Sequence, residues 1–339
     1  MNFLILTDHA GHSDQNSLYA LARTLAADAR TNSVFVASRS DERNDAFFED
    51  DLNAPLYGLT VGPDFRYAAG DDWLNKATGT ARYAEAKVVW LRLPPPADRA
   101  FFGRLTSFAP ASAHVIVNDP AGILETGSKA FLHHFPDHTA EVRGIQSVKQ
   151  VRRFVAERPI VLKPLDEYGG RGLVKIINQT VETDGAEYDL DTWLAANEAA
   201  ITSGRYLAMK YLKNVGRGDK RILVVNGKIL GASLRIPAEG QWLCNVSKGG
   251  TSVLADVMPE EKAMIAAVAP VLLAKGVVIF GADTLVDDDG RRVLSELNTN
   301  SIGGFPQAEA QTGRPILQQT INGIYDYLAE RTPRAAGRS

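Results

Sequence analysis

Asp283, Glu296 and Asn298 are the residues whose types and spacing point most directly to chemistry. Asp283 is the only charged residue in Val278-Ile279-Phe280-Gly281-Ala282-Asp283-Thr284-Leu285-Val286. Glu296 and Asn298 stand two apart in Arg292-Val293-Leu294-Ser295-Glu296-Leu297-Asn298, so on a strand they share a face. Asp287-Asp288-Asp289-Gly290 separates the two runs and ends in the Asp-Gly pair that favours a hairpin. Two carboxylates and an amide oxygen on one face suit a hard cation such as Mg²⁺, which takes oxygen ligands and keeps phosphates as partners. A solvated polar face on an edge hairpin fits the same residues.

Cations and glycines elsewhere bear on that choice. Lys163 closes the otherwise apolar run Pro159-Ile160-Val161-Leu162-Lys163, just before Pro164. A lysine is rarely buried without a partner, so phosphate contact competes here with a snorkelling side chain. Glu167-Tyr168-Gly169-Gly170-Arg171-Gly172 is a glycine loop whose N–H groups could close over phosphates, although it lacks the Gly-Lys-Ser/Thr of a Walker loop. Arg235 ends a second apolar run, and guanidinium groups grip carboxylates and phosphates bidentately. Gly216 to Arg221 gathers three cations beside Asp219 and reads equally as a solvated turn. Asn245 to Thr251 is a glycine loop able to act as a lid, and Thr299 to Gly304 could form a backbone nest for a carboxylate. Cys244 has no evident histidine partner and reads as a packed residue, and His133-His134 point in different directions on a helix.

The elements that must position these groups follow from the apolar pattern. Phe3 to Leu6, Val34 to Ala37, Lys87 to Arg92 and His114 to Asn118 read as short strands separated by crossovers, the signature of a parallel sheet. Ligands of such sheets bind beyond the carboxyl ends of the strands, which puts His9, His12, Arg92 and Asn118 at one rim. Ser13 or Asp14 is available to cap the helix that carries Leu18, Leu21, Ala22 and Leu25. Residues 41 to 86 are polar and carry no assignment beyond loops and a helix or two. A helical stretch from Gly122 to Phe135, strands at Pro159 to Pro164, Leu173 to Ile177 and Tyr206 to Tyr211, and a helix from Leu190 to Ile201 make a small α+β unit. A third unit starts near Lys213 with an Asn226-Gly227 hairpin, then a helix from Pro259 to Lys275, the acidic hairpin and a helix from Pro315 to Glu330.

At 339 residues the chain can hold two or three packed units. A net charge of −3 provides no global basic field for nucleic acid or an anionic membrane. One cysteine leaves no intramolecular disulfide and fits a reducing compartment, and the start lacks the basic and long apolar regions of a signal peptide. A cytoplasmic protein is expected.

In order along the chain, Lys129, Ile160-Val161-Leu162-Lys163-Pro164-Leu165-Asp166 with Gly169-Gly170, Gly218-Asp219-Lys220-Arg221 with Arg235-Ile236-Pro237, Asn245 to Gly250, and Asp283, Glu296 and Asn298 resemble the ATP-grasp enzymes. More narrowly they resemble bacterial glutathione synthetases. Trp90-Leu91-Arg92 with Pro94-Pro95-Pro96, and Val117-Asn118-Asp119-Pro120, are similar to that family's N-terminal domain. The resemblance runs from about residue 87 to 325. It implies a mixed α/β and α+β chain: a substrate-binding, parallel-sheet pre-ATP-grasp domain (1–120), two α+β ATP-grasp domains clasping ATP (121–212 and 213–330) and a flexible tail (331–339). Lys129 and Lys163 would contact ATP phosphates, Gly169 and Gly170 would cover them, Tyr211 and Leu212 would border the adenine, and Asp219 would lie near the nucleoside. Asp283, Glu296 and Asn298 would hold Mg²⁺, with Mn²⁺ as an alternative. Arg221 and Arg235 would act on the acyl phosphate, and Arg92 would face substrate carboxylates together with Asn300, Ser301, Gly303 and Gly304.

The family's usual Asn-Val-Thr-Ser-Pro is Asn298-Thr299-Asn300-Ser301-Ile302 here, and Thr251 stands where an arginine usually follows the loop's Gly-Gly. Both departures touch the amino-acid substrates rather than ATP. The implied activity is therefore an ADP-forming carboxylate–amine ligase acting on small amino-acid or dipeptide substrates, such as γ-glutamylcysteine plus glycine. A related γ-glutamyl or dipeptide ligase is the alternative, ahead of a phosphotransferase or a non-catalytic nucleotide-binding module. The resemblance also implies a homo-oligomer.

Overall fold

The computed structural model describes residues 1–69, 71–108, 114–237 and 251–331. Cys244, all but Thr251 of the lid expected from Asn245 to Thr251, and the tail beyond Arg331 lie outside them. Three sheets organise the chain. The first runs in the order Gly79–Ala81, Leu56–Thr60, Ser33–Ser38, Asn2–Thr7, Val88–Arg92, Val115–Val117. Its last four strands are parallel, and they are the four runs the apolar pattern marks. The other two pair antiparallel and come from the segment 41 to 86, where polar alternation hid them. Asn16, not Ser13 or Asp14, caps the first long helix: that helix starts at Ser17, and the Asn16 side chain accepts from the Leu18 N–H.

The second sheet is antiparallel, in the order Ala186–Asp189, Thr180–Thr183, Val174–Ile177, Ile160–Pro164, Tyr206–Lys210, Val142–Ile145. The stretch from Gly122 to Phe135 is not one helix. It is an α-helix, Pro120–Thr126, and a 3-10 helix, Lys129–His134, which restarts at Ser128 because that side chain accepts from the Ala130 N–H. The third sheet, also antiparallel, has the order Thr251–Leu254, Lys228–Ile236, Asp219–Val225, Ile279–Val286, Arg292–Asn298.

Side-chain alternation gives the third sheet two buried faces. Ile222, Val224, Phe280 and Ala282 pack on the helix Pro259–Ala274. Leu223, Val225 and Ile279 join Phe305, Ile321 and Ile324 in a core continuous with Phe3 and Ile5 of the first sheet. Asn118, placed at a ligand rim by sequence reasoning, instead joins those two sheets. Its amide oxygen accepts from the N–H groups of Val278 (2.8 Å) and Ile279 (2.9 Å), and its nitrogen donates to the carbonyls of Ile279 and Thr299. All of its hydrogen-bonding capacity is used by the scaffold. The second and third sheets are tied where Leu294 donates to the His138 carbonyl and the Thr139 hydroxyl donates to the Leu294 carbonyl. Among the described residues no helix is long and apolar enough to cross a membrane.

Candidate active site

Between the second and third sheets lies a cleft of about 930 Å³, open to solvent. Eleven of the predicted site residues line it: Lys163, Gly169, Gly170, Tyr211, Leu212, Asp219, Arg221, Arg235, Asp283, Glu296 and Asn298. Val161, Leu173, Met209, Val215 and Leu285 add an apolar wall suited to a flat ring. That wall was missed from sequence because each member looks like ordinary core; strand parity with Lys163 and Asp283 could have marked Val161, its partner Met209, and Leu285, whereas Leu173 and Val215 lie off the strands.

Strand register brings the acids together. Asp283 pairs with Glu296 and Gly281 with Asn298, while Arg221 pairs with Asp283 on the other side. Asp283 accepts from Arg221 through both carboxylate oxygens, from Arg235 at 2.8 Å and from the Asn298 amide at 3.2 Å. Arg235 also donates to Asp219, whose other oxygen is buried without a hydrogen-bond partner. Burial pushes the Asp283 carboxyl up, but Arg221 and Arg235 more than offset this and hold it well below the usual range. Asp219 shares only Arg235 directly, so burial, reinforced by the charge on Asp283, pushes it up to about 7.

On the opposite wall, Lys163 is buried and donates to the Ser295 carbonyl at 3.1 Å. Burial draws its ammonium below the usual lysine range, against the pull of Glu296. Ser295 is the extra residue of a bulge between the Asp283–Glu296 and Thr284–Leu294 pairs. Bulges re-aim main-chain groups, and this one gives Lys163 its acceptor. Lys129 does not line the cleft, but its ammonium lies 3.7 Å from the Glu296 carboxylate, 5.3 Å from the Tyr168 ring centre, and donates to the Glu167 carbonyl. Gly169 and Gly170 have φ of 66° and 72°, a conformation that favours glycine.

Among the described residues no three His, Cys, Asp or Glu side chains gather as a metal site. A divalent cation here would depend on the Asn298 amide as well as the acids. The donor set fits one: Glu296 receives no hydrogen bond from a described residue, its neighbour Asn298 shares its face, and Asp219 keeps a buried oxygen without a partner.

Arg92, Asn300, Ser301, Gly303 and Gly304 form a separate cluster. It sits where the order of the first sheet reverses, between the carboxyl ends of Asn2–Thr7 and Val88–Arg92, the usual ligand crevice of such sheets. Arg92 is 3% exposed, donates to the Ile302 carbonyl at 2.8 Å and has no carboxylate partner among the described residues; its Nε is unpaired. Burial lowers its guanidinium to about 10. Ser301 donates to the Arg92 carbonyl, and the Gly304 N–H donates to Ser17. Both amide atoms of Asn300 are buried without partners. His9 is engaged with Ser38 and stacks on Trp73.

His12 lies between the Thr7 and Tyr19 hydroxyls at 3.2 and 2.9 Å. Burial first, and then the charge on Arg92, lower its pKa from 6.5 to about 4. Between those values the unfolded chain binds a proton that the folded chain refuses, so stability supplied by the neutral ring is full above about 6.5 and lost as pH falls to about 4. The slope of the denaturation midpoint against pH over that window is expected to flatten in His12→Gln; an unchanged slope removes His12 from the acid response.

Two antiparallel sheets facing across a cleft with paired lysines, a glycine turn and an acid–amide hairpin define an ATP-grasp ligase, an enzyme class that uses ATP with a divalent metal and releases ADP. The chain belongs to the prokaryotic glutathione synthetase ATP-grasp domain family, whose model matches residues 128–313. It is 30% identical over 269 residues to the glutathione synthetase of Parasynechococcus marenigrum, covering 78% of this chain and 81% of that one. It is also 30% identical over 311 residues to that of Rhodopseudomonas palustris, covering 90% and 91%. Among solved structures it shares its fold with the D-cycloserine synthetase DcsG, at TM-score 0.63, 14% identity and coverage of 97% of this chain and 100% of that one. A Chryseobacterium gregarium RiPP-associated ATP-grasp ligase matches at TM-score 0.59, 13% identity and full coverage of both chains.

Proposed function

We propose that the enzyme joins a γ-glutamyl dipeptide acid to a small amino acid, with γ-glutamylcysteine and glycine as the first pair and Mg²⁺ as the metal. The observation that carries the reading is the Arg221–Asp283–Arg235–Asp219 array in one cleft with Lys163 and Glu296, and with Lys129 ion-paired to Glu296 beside it. Lys129, Lys163 and the turn at Gly169-Gly170 hold the phosphates of ATP, and Tyr211 and Leu212 border its base, with Asp219 on the nucleoside side. Asp283, Glu296 and Asn298 would hold Mg²⁺, Asp283 through a carboxylate that also accepts from arginine, and the metal would supply charge neutralisation on the transferring phosphate. Arg92, with Asn300, Ser301, Gly303 and Gly304, takes a substrate carboxylate; its buried guanidinium without a carboxylate partner supports that role.

The reaction needs no protein nucleophile. The acid's carboxylate oxygen attacks the γ-phosphorus and ADP leaves; the amine nitrogen then attacks the acyl carbon, phosphate leaves and the amine gives up a proton. Arg221 and Arg235 stabilise the charge that develops, and the cleft walls keep water from the acyl phosphate. The boundaries at 120 and 212 belong to the same reading.

A second substrate pair is favoured by a specific observation. The loop against Arg92 carries Asn300, a buried amide with no partner, at a departure from the family pattern, and an unpaired amide selects for a matching polar group. ADP and phosphate release, measured with Mg·ATP against a panel of γ-glutamyl acids and amines, tests both readings. Release that requires γ-glutamylcysteine and glycine, with the tripeptide seen by mass spectrometry, is expected. No turnover with that pair but turnover with another names the second reading; release with an acid alone makes the protein a phosphotransferase.

A further inference from the structure

Behind the acidic hairpin lies a buried cluster that the reaction does not use. Glu261, third residue of the helix Pro259–Ala274, is 0% exposed. One of its carboxylate oxygens accepts from the Lys220 ammonium at 2.7 Å and the Met258 N–H at 2.9 Å; the other accepts from the Thr284 hydroxyl at 2.7 Å. Lys220, 4% exposed, also donates to the Asp256 carbonyl at 2.7 Å. Arg292 lies 3.8 Å from Glu261 and donates to the carbonyls of Gly218 and Thr284.

The register gives this cluster its meaning. Lys220 pairs with Thr284, and the next rung pairs Arg221 with Asp283. Successive residues of a strand face opposite ways, so the buried ion pair grips the back of the same two strands whose fronts carry the cleft charges. Gly218 and Thr284, held by Arg292, adjoin Asp219 and Asp283, and Thr284 borders the bulge that turns the Ser295 carbonyl to Lys163. A buried ion pair is weak evidence for stability, since apolar residues of similar volume often serve as well. What apolar residues cannot supply is directional bonding to the main chain and to Thr284.

We propose that Lys220 and Glu261 are positioning residues: they fix the rung of Arg221 and Asp283 from behind, so that their removal lowers the rate of the chemical step without weakening ATP binding. The proposal rests on the ligase reading, and its test separates the two. Lys220→Met/Glu261→Leu keeps volume and removes both charges, so it folds even where Glu261→Gln does not; Thr284→Val removes only the hydroxyl that donates to Glu261 and accepts from Arg292. With the substrate pair found for the wild type, kcat is expected to fall about tenfold in the double variant and less in Thr284→Val, with KM for ATP within about twofold. The side-chain Nε–H NMR signal of Arg221, assigned by its loss in Arg221→Lys, is expected to move in both. A kcat within about twofold of wild type, a change carried by KM alone, or an Arg221 signal that stays in place overturns the proposal. Absence of acid- and amine-dependent turnover in the wild type refutes the ligase reading alone, and the Arg221 signal still decides this one.

Discussion

Glu296→Gln is expected to reduce metal-dependent ADP release on the order of 100-fold while leaving the fold in place. The substitution is isosteric and removes one negative charge from a half-buried position. Its one ion-pair partner among the described residues is Lys129 at 3.7 Å, so the stability change is expected to be about 1 kcal/mol or less. Losing that charge beside Lys129 and Lys163 leaves the phosphate wall more positive. Metal-free nucleotide is therefore expected to bind no worse than before, while the Mg²⁺ concentration for half-maximal rate rises. Titrating Mg²⁺ in the ADP assay, with a denaturation curve alongside, reads all three. Near-normal turnover at low Mg²⁺ would show that Glu296 does not hold the metal.

Asp283→Asn is expected to behave differently, because Asp283 is scaffold as well as site. Its side chain is 4% exposed and accepts from Arg221 and Arg235, themselves 18% and 20% exposed. Replacing the carboxylate leaves the two guanidinium groups with Asp219 as their one remaining ion-pair partner among the described residues. Breaking a buried pair from one side costs about 3 kcal/mol, so a lower melting temperature is expected together with loss of turnover. Asp219→Asn, which removes an acid that accepts from Arg235 but not from Arg221, is expected to disturb stability less. A melting temperature in Asp283→Asn equal to that of Glu296→Gln would show that the arginines find other acceptors. The contrast between the two acids separates a group kept for the metal from one that also holds the cleft together.

Local pattern carried much of this architecture. The parallel strands of the first sheet are apolar runs too short to be helices, and burial on both faces requires such runs. The acidic hairpin was legible because Glu296 and Asn298 share strand parity and Asp287 to Gly290 is turn chemistry, and Lys163 because an ammonium at the end of a buried strand needs an anion or a carbonyl. The strands at Leu56–Thr60 and Gly79–Ala81 stayed hidden: they pair antiparallel at an edge, where polar alternation is also what a loop shows. The same ambiguity covered Gly216 to Arg221, which reads as a solvated turn until the register sets Arg221 against Asp283.

The sequence by itself marked most of the strands, the acidic hairpin and the charged residues and glycines that line the cleft, because periodicity, turn residues and charge act within a few positions; the ATP roles expected of them rested on the resemblance. Tertiary structure alone decided how those residues are used. It gave Asn118 to the scaffold rather than the rim, set Asp219 and Asp283 on a shared arginine, and buried Arg92 against the Ile302 carbonyl with no carboxylate partner among the described residues. It also aligned Lys220 and Glu261, 41 positions apart, behind the Arg221–Asp283 rung. Each of these outcomes depends on the register between distant strands, which sums many weak contacts and is written in no single segment.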